Sequence, residues 1–228
     1  MRLRHLAFDA YGTLFDVNAA IARHREAVGP DAASLSALWR VKQLEYSWTL
    51  TLMGRYVDFW TLTGRALDFA LARHPAVDPG LREKLLDAYL RLEAFPDVKP
   101  ALEGLRALGY KLSIFTNGTE AMAAAAAESA GLNGAISQIV SVDAIRRYKT
   151  DPAAYAHLAR RLGLPKGEIG LVSSNRWDVA GASNAGIAAV WVNRGGMPDE
   201  YAGLGPARVV STLAELPAGL PPALAPEA

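Results

Sequence analysis

Five short runs constrain this chain more than anything else in it: HLAFD (5–9), KLSIFTN (111–117), QIVSVD (138–143), IGLVSSN (169–175) and AAVWVN (188–193). Each is a short apolar run, rich in β-branched or aromatic residues, that ends on polar ones. Continuous rather than alternating apolarity is what a strand covered on both faces requires. Helical stretches separate most of the runs, which implies βαβ units, a parallel sheet and right-handed crossovers. One of these helices is marked at both ends: Thr119 and Glu120 start it, alanines fill it and Gly131 stops it.

From about residue 17 to 95 the rhythm breaks. SLSALWRVKQLEYSWTLTLM and LREKLLDAYLRL are amphipathic helical patterns with no convincing strand between them, and strand alternation resumes only after Phe95-Pro96-Asp97. The economical reading is an α/β protein with a Rossmann-like parallel sheet core, residues 1–15 and 97–228, and an inserted helical cap domain, residues 16–96, standing over the carboxyl ends of the strands as a lid. At 228 residues the chain is long enough to bury a real core in such an arrangement. The closing LPAGLPPALAPEA, rich in proline and alanine, reads as a frayed tail.

Composition narrows the partners. Lys+Arg 24 against Asp+Glu 23 gives a net charge of +1 with no cluster of cations, so nucleic acid is not expected. Cysteine is absent, which excludes disulfides, thiolate nucleophiles and thiolate metal sites and suits a reducing compartment. The opening MRLRHLAFDAYG has too short an apolar segment for a signal peptide, and no window approaches the ~20 apolar residues of a membrane helix. A soluble cytoplasmic protein without a membrane partner is the expectation.

In an open parallel sheet, ligands sit outside the carboxyl ends of the strands. There the first run places Asp9, the second Thr116 and Asn117, and the fourth Ser173, Ser174 and Asn175, followed by Trp177 and Asp178. Lys149 lies just beyond the third, in RYKTDPAAY. By position alone, Asp9 could be a metal ligand, a nucleophile or a turn residue.

FDAYGTLFDV, SIFTNG, YKTDPAAY and VSSNRWDVAG resemble, in order, the four motifs of the haloacid dehalogenase superfamily, whose first aspartate is the nucleophile. The likeness covers about residues 5 to 195, and LWRVKQLEYSW with MGRYVDF is similar to the cap of the (S)-2-haloacid dehalogenases. Phosphatases of the superfamily rely on magnesium, which wants hard oxygen ligands, and on a general acid two residues after the nucleophile. That position is Tyr11, and the fourth motif offers one carboxylate, Asp178, beside Ser174 and Asn175. A nucleophile working without metal or other cofactor is the better reading; a small-molecule phosphatase is the alternative enzyme, and a binding module without turnover the non-enzyme one.

A metal-free carboxylate can displace a good leaving group from saturated carbon, forming an ester that water hydrolyses. A 2-haloalkanoate is itself an anion, so its approach needs compensating donors and cations. Lys149 is suited to keep Asp9 ionised, and Thr13, Thr116, Asn117 and the amides after Asp9 can bind carboxylate oxygens. The resemblance implies that Arg40 accepts the departing halide with Asn117, that Ser173, Asn175, Asp178 and Lys149 orient and activate water, and that Tyr155 supports the lysine, although core packing would also explain Tyr155. Either Asp178 or Lys149 could be the base. Tyr11, Leu44, Phe59 and Trp177 would wall the substrate's alkyl group. The resemblance also implies a homodimer. Thr116 stands where the family more usually has serine, and Val41 where it has glutamine, a change bearing on pocket polarity and substrate size.

Other features read as ordinary structure. Asp16 is a turn or helix-start residue. His5, His24, His74 and His157 lie outside the motifs without ligand spacing. The Asn117-Gly118-Thr119 sequon is a chance match. GASNAG (181–186) lacks the final glycine of a serine-nucleophile elbow and reads as a tight helix start.

Overall fold

The computed structural model describes residues 3–224. Its strands are β1 (His5–Phe8), β2 (Lys111–Thr116), β3 (Gln138–Ser141), β4 (Ile169–Ser173), β5 (Ala188–Val192) and β6 (Arg208–Val210). Its helices are α1 (Ala19–Ala22), α2 (Arg25–Val28), α3 (Ala32–Leu52), α4 (Phe59–Arg73), α5 (Arg82–Leu90), α6 (Val98–Ala107), α7 (Glu120–Ser129), α8 (Pro152–Leu162), α9 (Arg176–Asn184) and α10 (Leu216–Gly219). All strand pairs are parallel, in the order β3-β2-β1-β4-β5-β6.

The five expected runs are five of the six strands, and they are buried as continuous apolarity requires: Leu6 and Phe8 on one face of β1 and Ala7 on the other are all inaccessible to solvent. Strand order reverses at β1, where β2 lies on one side and β4 on the other, and at this switch point the carboxyl ends diverge into a crevice. Phe8 aligns with Ile114 and with Val172, so Asp9 and Ser173 emerge side by side and Thr116 one residue further along β2. β6 escaped the sequence pattern because only Val210 of its three residues is buried and it lies at the sheet edge.

α7 starts and stops where the sequence marks it. The Thr119 hydroxyl accepts from Met122 N at 3.2 Å, and Gly131 follows the helix at φ +67°. GASNAG is a correction: it forms the second half of α9 and the turn after it, so it ends a helix. The tail is another. Leu216 and Leu220 are buried, Ala223 N donates to Leu108 O, and Leu224 N to Leu3 O, so apolar contacts and backbone bonds hold the segment to residue 224; residues 225–228 lie outside the described range.

Helices alone occupy the stretch between Ala19 and Leu90. On α3 the residues Leu35, Trp39, Gln43 and Ser47, spaced four apart, are all buried. The polar members of this stripe meet α4: Trp39 Nε1 donates to Thr63 O at 2.9 Å, and Gln43 Nε2 to Thr63 Oγ1 at 3.0 Å. Asp58 caps α4 by accepting from Thr61 N and Thr61 Oγ1. The insert meets the strand ends through four bonds of long sequence separation: Arg40 Nη2 to Tyr11 O at 3.3 Å, Tyr148 Oη to Val57 O at 2.6 Å, Tyr148 N to Thr51 Oγ1 at 3.2 Å, and Tyr56 Oη to Asp143 Oδ1.

Candidate active site

Asp9 is 4% exposed and its two oxygens differ in company. Oδ2 accepts from Asn175 Nδ2 at 2.7 Å, Thr13 Oγ1 at 3.0 Å and Ser173 Oγ at 3.4 Å. Oδ1 accepts from Lys149 Nζ at 3.1 Å. The turn that brings Thr13 back onto Asp9 passes through Gly12 at φ +89°, a conformation that favours glycine. Thr13 is itself fixed, its hydroxyl accepting from Ser174 N at 2.8 Å.

Lys149 has no solvent exposure, and its ammonium has three acceptors: Asp9 Oδ1, Asp178 Oδ2 at 2.8 Å and Phe115 O at 2.8 Å. Three donors meet three acceptors, so the lysine is a fixed charge between two carboxylates. Asp178 is likewise inaccessible, and its Oδ1 accepts from Tyr155 Oη at 2.9 Å. Burial pushes the Asp178 carboxyl upward; the Lys149 charge opposes this and the Asp9 charge adds to it. Burial also pushes the Tyr155 phenol up, so it serves as a donor. Among the described residues, no group of three or more His, Asp or Glu side chains is placed to hold a metal ion.

Thr116 Oγ1 accepts from Gly118 N at 2.9 Å, which leaves its own hydrogen to donate. Asn117 Oδ1 accepts from Lys149 N at 2.9 Å, while its buried Nδ2 has no partner among the described residues. That leaves a buried N–H able to meet an acceptor brought by a substrate. Arg40, half-buried on α3, reaches the Tyr11 carbonyl, which also accepts from Asn175 Nδ2 at 3.1 Å. Asp9, Thr13, Ser173, Asn175, Lys149, Asp178 and Tyr155 therefore form one bonded network, with Arg40 joined to it through Tyr11.

The apolar wall is assembled in part. Tyr11 is buried, with its ring 6.2 Å from that of Phe59 and 5.5 Å from that of Tyr89. Trp177 is half-buried and packs edge-on against Trp48 at 5.5 Å, at the border of two grooves of about 640 and 560 Å³ that flank the network. Leu44 is half-buried one turn after Arg40 and lines neither groove.

The amides of Gly12, Thr13, Leu14 and Phe15 bond to carbonyls within their own loop, while those of Ala10 and Tyr11, next to Asp9, have no partner among the described residues, so the expectation narrows to these two. One expectation needs correcting. Val41 is 55% exposed, so its side chain meets solvent and does not set the polarity of a buried pocket. Asp16 is the turn residue expected, its Oδ1 accepting from Asn18 N at 2.9 Å. None of the four histidines bonds to the network. Sequence reasoning missed Tyr89, which nothing in its helix distinguishes from a core aromatic.

Residues 3–186 match the family described as haloacid dehalogenase-like hydrolase. The chain is 45% identical over 216 residues to (S)-2-haloacid dehalogenase 1 of Pseudomonas sp. strain CBS-3, covering 94% of this chain and 95% of that protein. It is 44% identical over 215 residues to (S)-2-haloacid dehalogenase 4A of Burkholderia cepacia, covering 94% and 93%. Among solved structures, the L-2-haloacid dehalogenase of Xanthobacter autotrophicus with chloropropionic acid covalently bound superimposes with a TM-score of 0.86 at 34% identity, over 95% of this chain and 97% of the other.

Proposed function

The chain belongs to the haloacid dehalogenase-like hydrolases, and from that premise we propose that Asp9 opens a C–halogen bond by direct attack and is regenerated by water. The protein is a hydrolase acting on carbon–halide bonds, converting short-chain (S)-2-haloacids to 2-hydroxy acids. The residue roles that follow are our reading.

One observation carries them: the asymmetry of the Asp9 carboxylate. Oδ1, bonded only to Lys149, is the oxygen free to attack C2 from the side opposite the halide, inverting that centre. The electron pair of the breaking bond leaves with the halide, which Arg40 and the unpartnered Nδ2 of Asn117 are placed to receive. Oδ2 then becomes the ester carbonyl, already surrounded by Asn175, Thr13 and Ser173. When water adds to the ester carbon, charge develops on Oδ2, where these preorganised donors stabilise it. Asp178 takes the proton of that water. Lys149, whose three donors are engaged, contributes charge instead, and Tyr155 orients Asp178. Two residues after Asp9, where a phosphatase needs a general acid, the chain carries the buried Tyr11, which favours this reading over the phosphatase one.

Thr116, with Asn117 beside it, is assigned to the substrate carboxylate, and Tyr11, Leu44, Phe59 and Trp177 to its alkyl group. Residues 16–96 serve as the cap over a core of 1–15 and 97–228, supported by the helices between β1 and β2 and by Arg40 reaching the Tyr11 carbonyl. A cytoplasmic location and a homodimer belong to the same proposal. The exposed apolar side chains of Val41, Leu52 and Met53 on and beside α3 favour the latter, and among the described residues no helix is long and apolar enough to cross a membrane.

Incubation with (S)-2-chloropropanoate should release chloride in the presence of EDTA and yield the (R)-2-hydroxy acid. In a single turnover in water labelled with the heavy oxygen isotope, label should enter Asp9. Label appearing only in product would replace the ester with direct attack by water, and EDTA-sensitive phosphate-ester hydrolysis without halide release would restore the phosphatase.

A further inference from the structure

Tyr89, the penultimate residue of α5, is 2% exposed, and its hydroxyl has no hydrogen-bond partner among the described residues. Its ring lies nearly parallel to that of Tyr11, with centroids 5.5 Å apart and planes at 16°, and Trp39 packs on it at 5.2 Å. Trp39 adjoins Arg40 on α3, and Arg40 Nη2 bonds to the carbonyl of the same Tyr11 on which Tyr89 stacks, so Tyr89 lies beside the guanidinium assigned to the halide.

Its polar neighbours are donors. Gln43 Nε2 donates to Thr63 Oγ1, Trp39 Nε1 to Thr63 O, and Arg40 Nη2 to Tyr11 O. What Gln43 and Arg40 direct at Tyr89 are N–H groups, which leave the phenol's own hydrogen unmet. A phenylalanine would make the same ring contacts, and a buried donor without an acceptor is costly to keep. An unmet donor beside the guanidinium assigned to the halide fits an acceptor that arrives with the substrate.

We propose that the Tyr89 hydroxyl is a further donor to the departing halide, acting beside Arg40. As Oδ1 of Asp9 bonds to C2, the C–halogen bond breaks with its electron pair on the halide, and the Tyr89 O–H shortens its contact to that ion without giving up the proton. Burial pushes this phenol up, Arg40 and Gln43 acting in the opposite sense, which suits a donor that stays protonated. The inference rests on the assignment of Arg40 to the halide.

Tyr89→Phe keeps the ring and removes only the donor. Turnover of (S)-2-chloropropanoate should fall about tenfold and that of the bromo analogue by less than about threefold, because the poorer leaving group needs more help. Inhibition by added chloride should weaken by a similar factor. Equal loss on both substrates with unchanged chloride inhibition would mark a packing role and overturn the proposal, as would no change at all. If the variant does not fold, the parent protein still decides: an anomalous bromide peak within hydrogen-bond reach of Tyr89 Oη supports the proposal, and one confined to Arg40 and Asn117 overturns it. A parent that releases no halide removes the functional reading, and this inference with it.

Discussion

Lys149 shows how little freedom a buried residue has once its neighbours are named. Its ammonium bridges Asp9 and Asp178 with both carboxylates inside the protein, an arrangement stable only because the third donor is also met, by Phe115 O. Arginine would not replace it, since a planar fork cannot meet three acceptors grouped around one atom. In the proposed mechanism the same geometry divides labour between the carboxylates, one to attack and the other to accept a proton. Asp178→Asn should therefore release about one halide per active site and then stop, with turnover down at least about 100-fold and the substrate's 1-carboxyethyl group retained as an ester on Asp9. Intact-protein mass spectrometry after mixing with (S)-2-chloropropanoate makes the check; unchanged turnover would move the base elsewhere. Asp9, Lys149 and Asp178 were legible in the sequence because each sits in a motif at a strand end. Which oxygen of Asp9 is free was not, since that depends on four donors from three separate segments.

At the scale of elements, α8 and α9 position Asp178 together. Tyr155 on α8 donates to Asp178 on α9, and the helices approach so closely there that a Cβ on Gly181 would lie 2.2 Å from Tyr155 Oη. Gly181→Ala must displace the tyrosine or part the helices. We expect a loss of about 1–3 kcal/mol in a urea titration and a lower rate of ester hydrolysis, with the initial halide burst retained. A variant as stable and as fast as the parent would show that Tyr155 does not support Asp178. The role of Gly181 was invisible in GASNAG, because the sequence does not say which side chain of another helix will need the space. Strands were easier to read than this contact. β1 to β5 carry their burial in their own letters, whereas β6, at the edge, has one buried residue and no pattern to display.

Over the whole molecule, the parallel sheet imposes a sensitivity to acid far from the chemistry. His5 opens β1, 4% exposed, and burial, aided by the Lys111 charge, lowers its pKa from 6.5 to about 4. Between those values the unfolded chain binds a proton that the native one excludes. Stability is thus fully present above pH 6.5 and is lost as pH falls toward 4, by at most about 3 kcal/mol for this group. His157, also shifted down by burial first and then by Arg160 and Arg161, acts in the same direction. Urea midpoints at pH 7 and pH 4.5 should separate clearly in the parent and less in His5→Leu; an equal separation in both would assign the acid lability to other groups.

The sequence by itself determined the α/β class, five strands, the helical interruption and the identities of the charged residues at the strand ends. Those are local properties: apolarity, turn chemistry and the letters that follow each strand. Only the tertiary structure decided that Asp9 has one free oxygen, that Lys149 has no donor to spare, that four of the loop amides are spent, that Val41 faces water and that Tyr89 stacks on Tyr11 beside Arg40. Each of these depends on where a side chain distant in sequence comes to rest, and a hydrogen bond, unlike apolar burial, is decided by the last ångström of its approach.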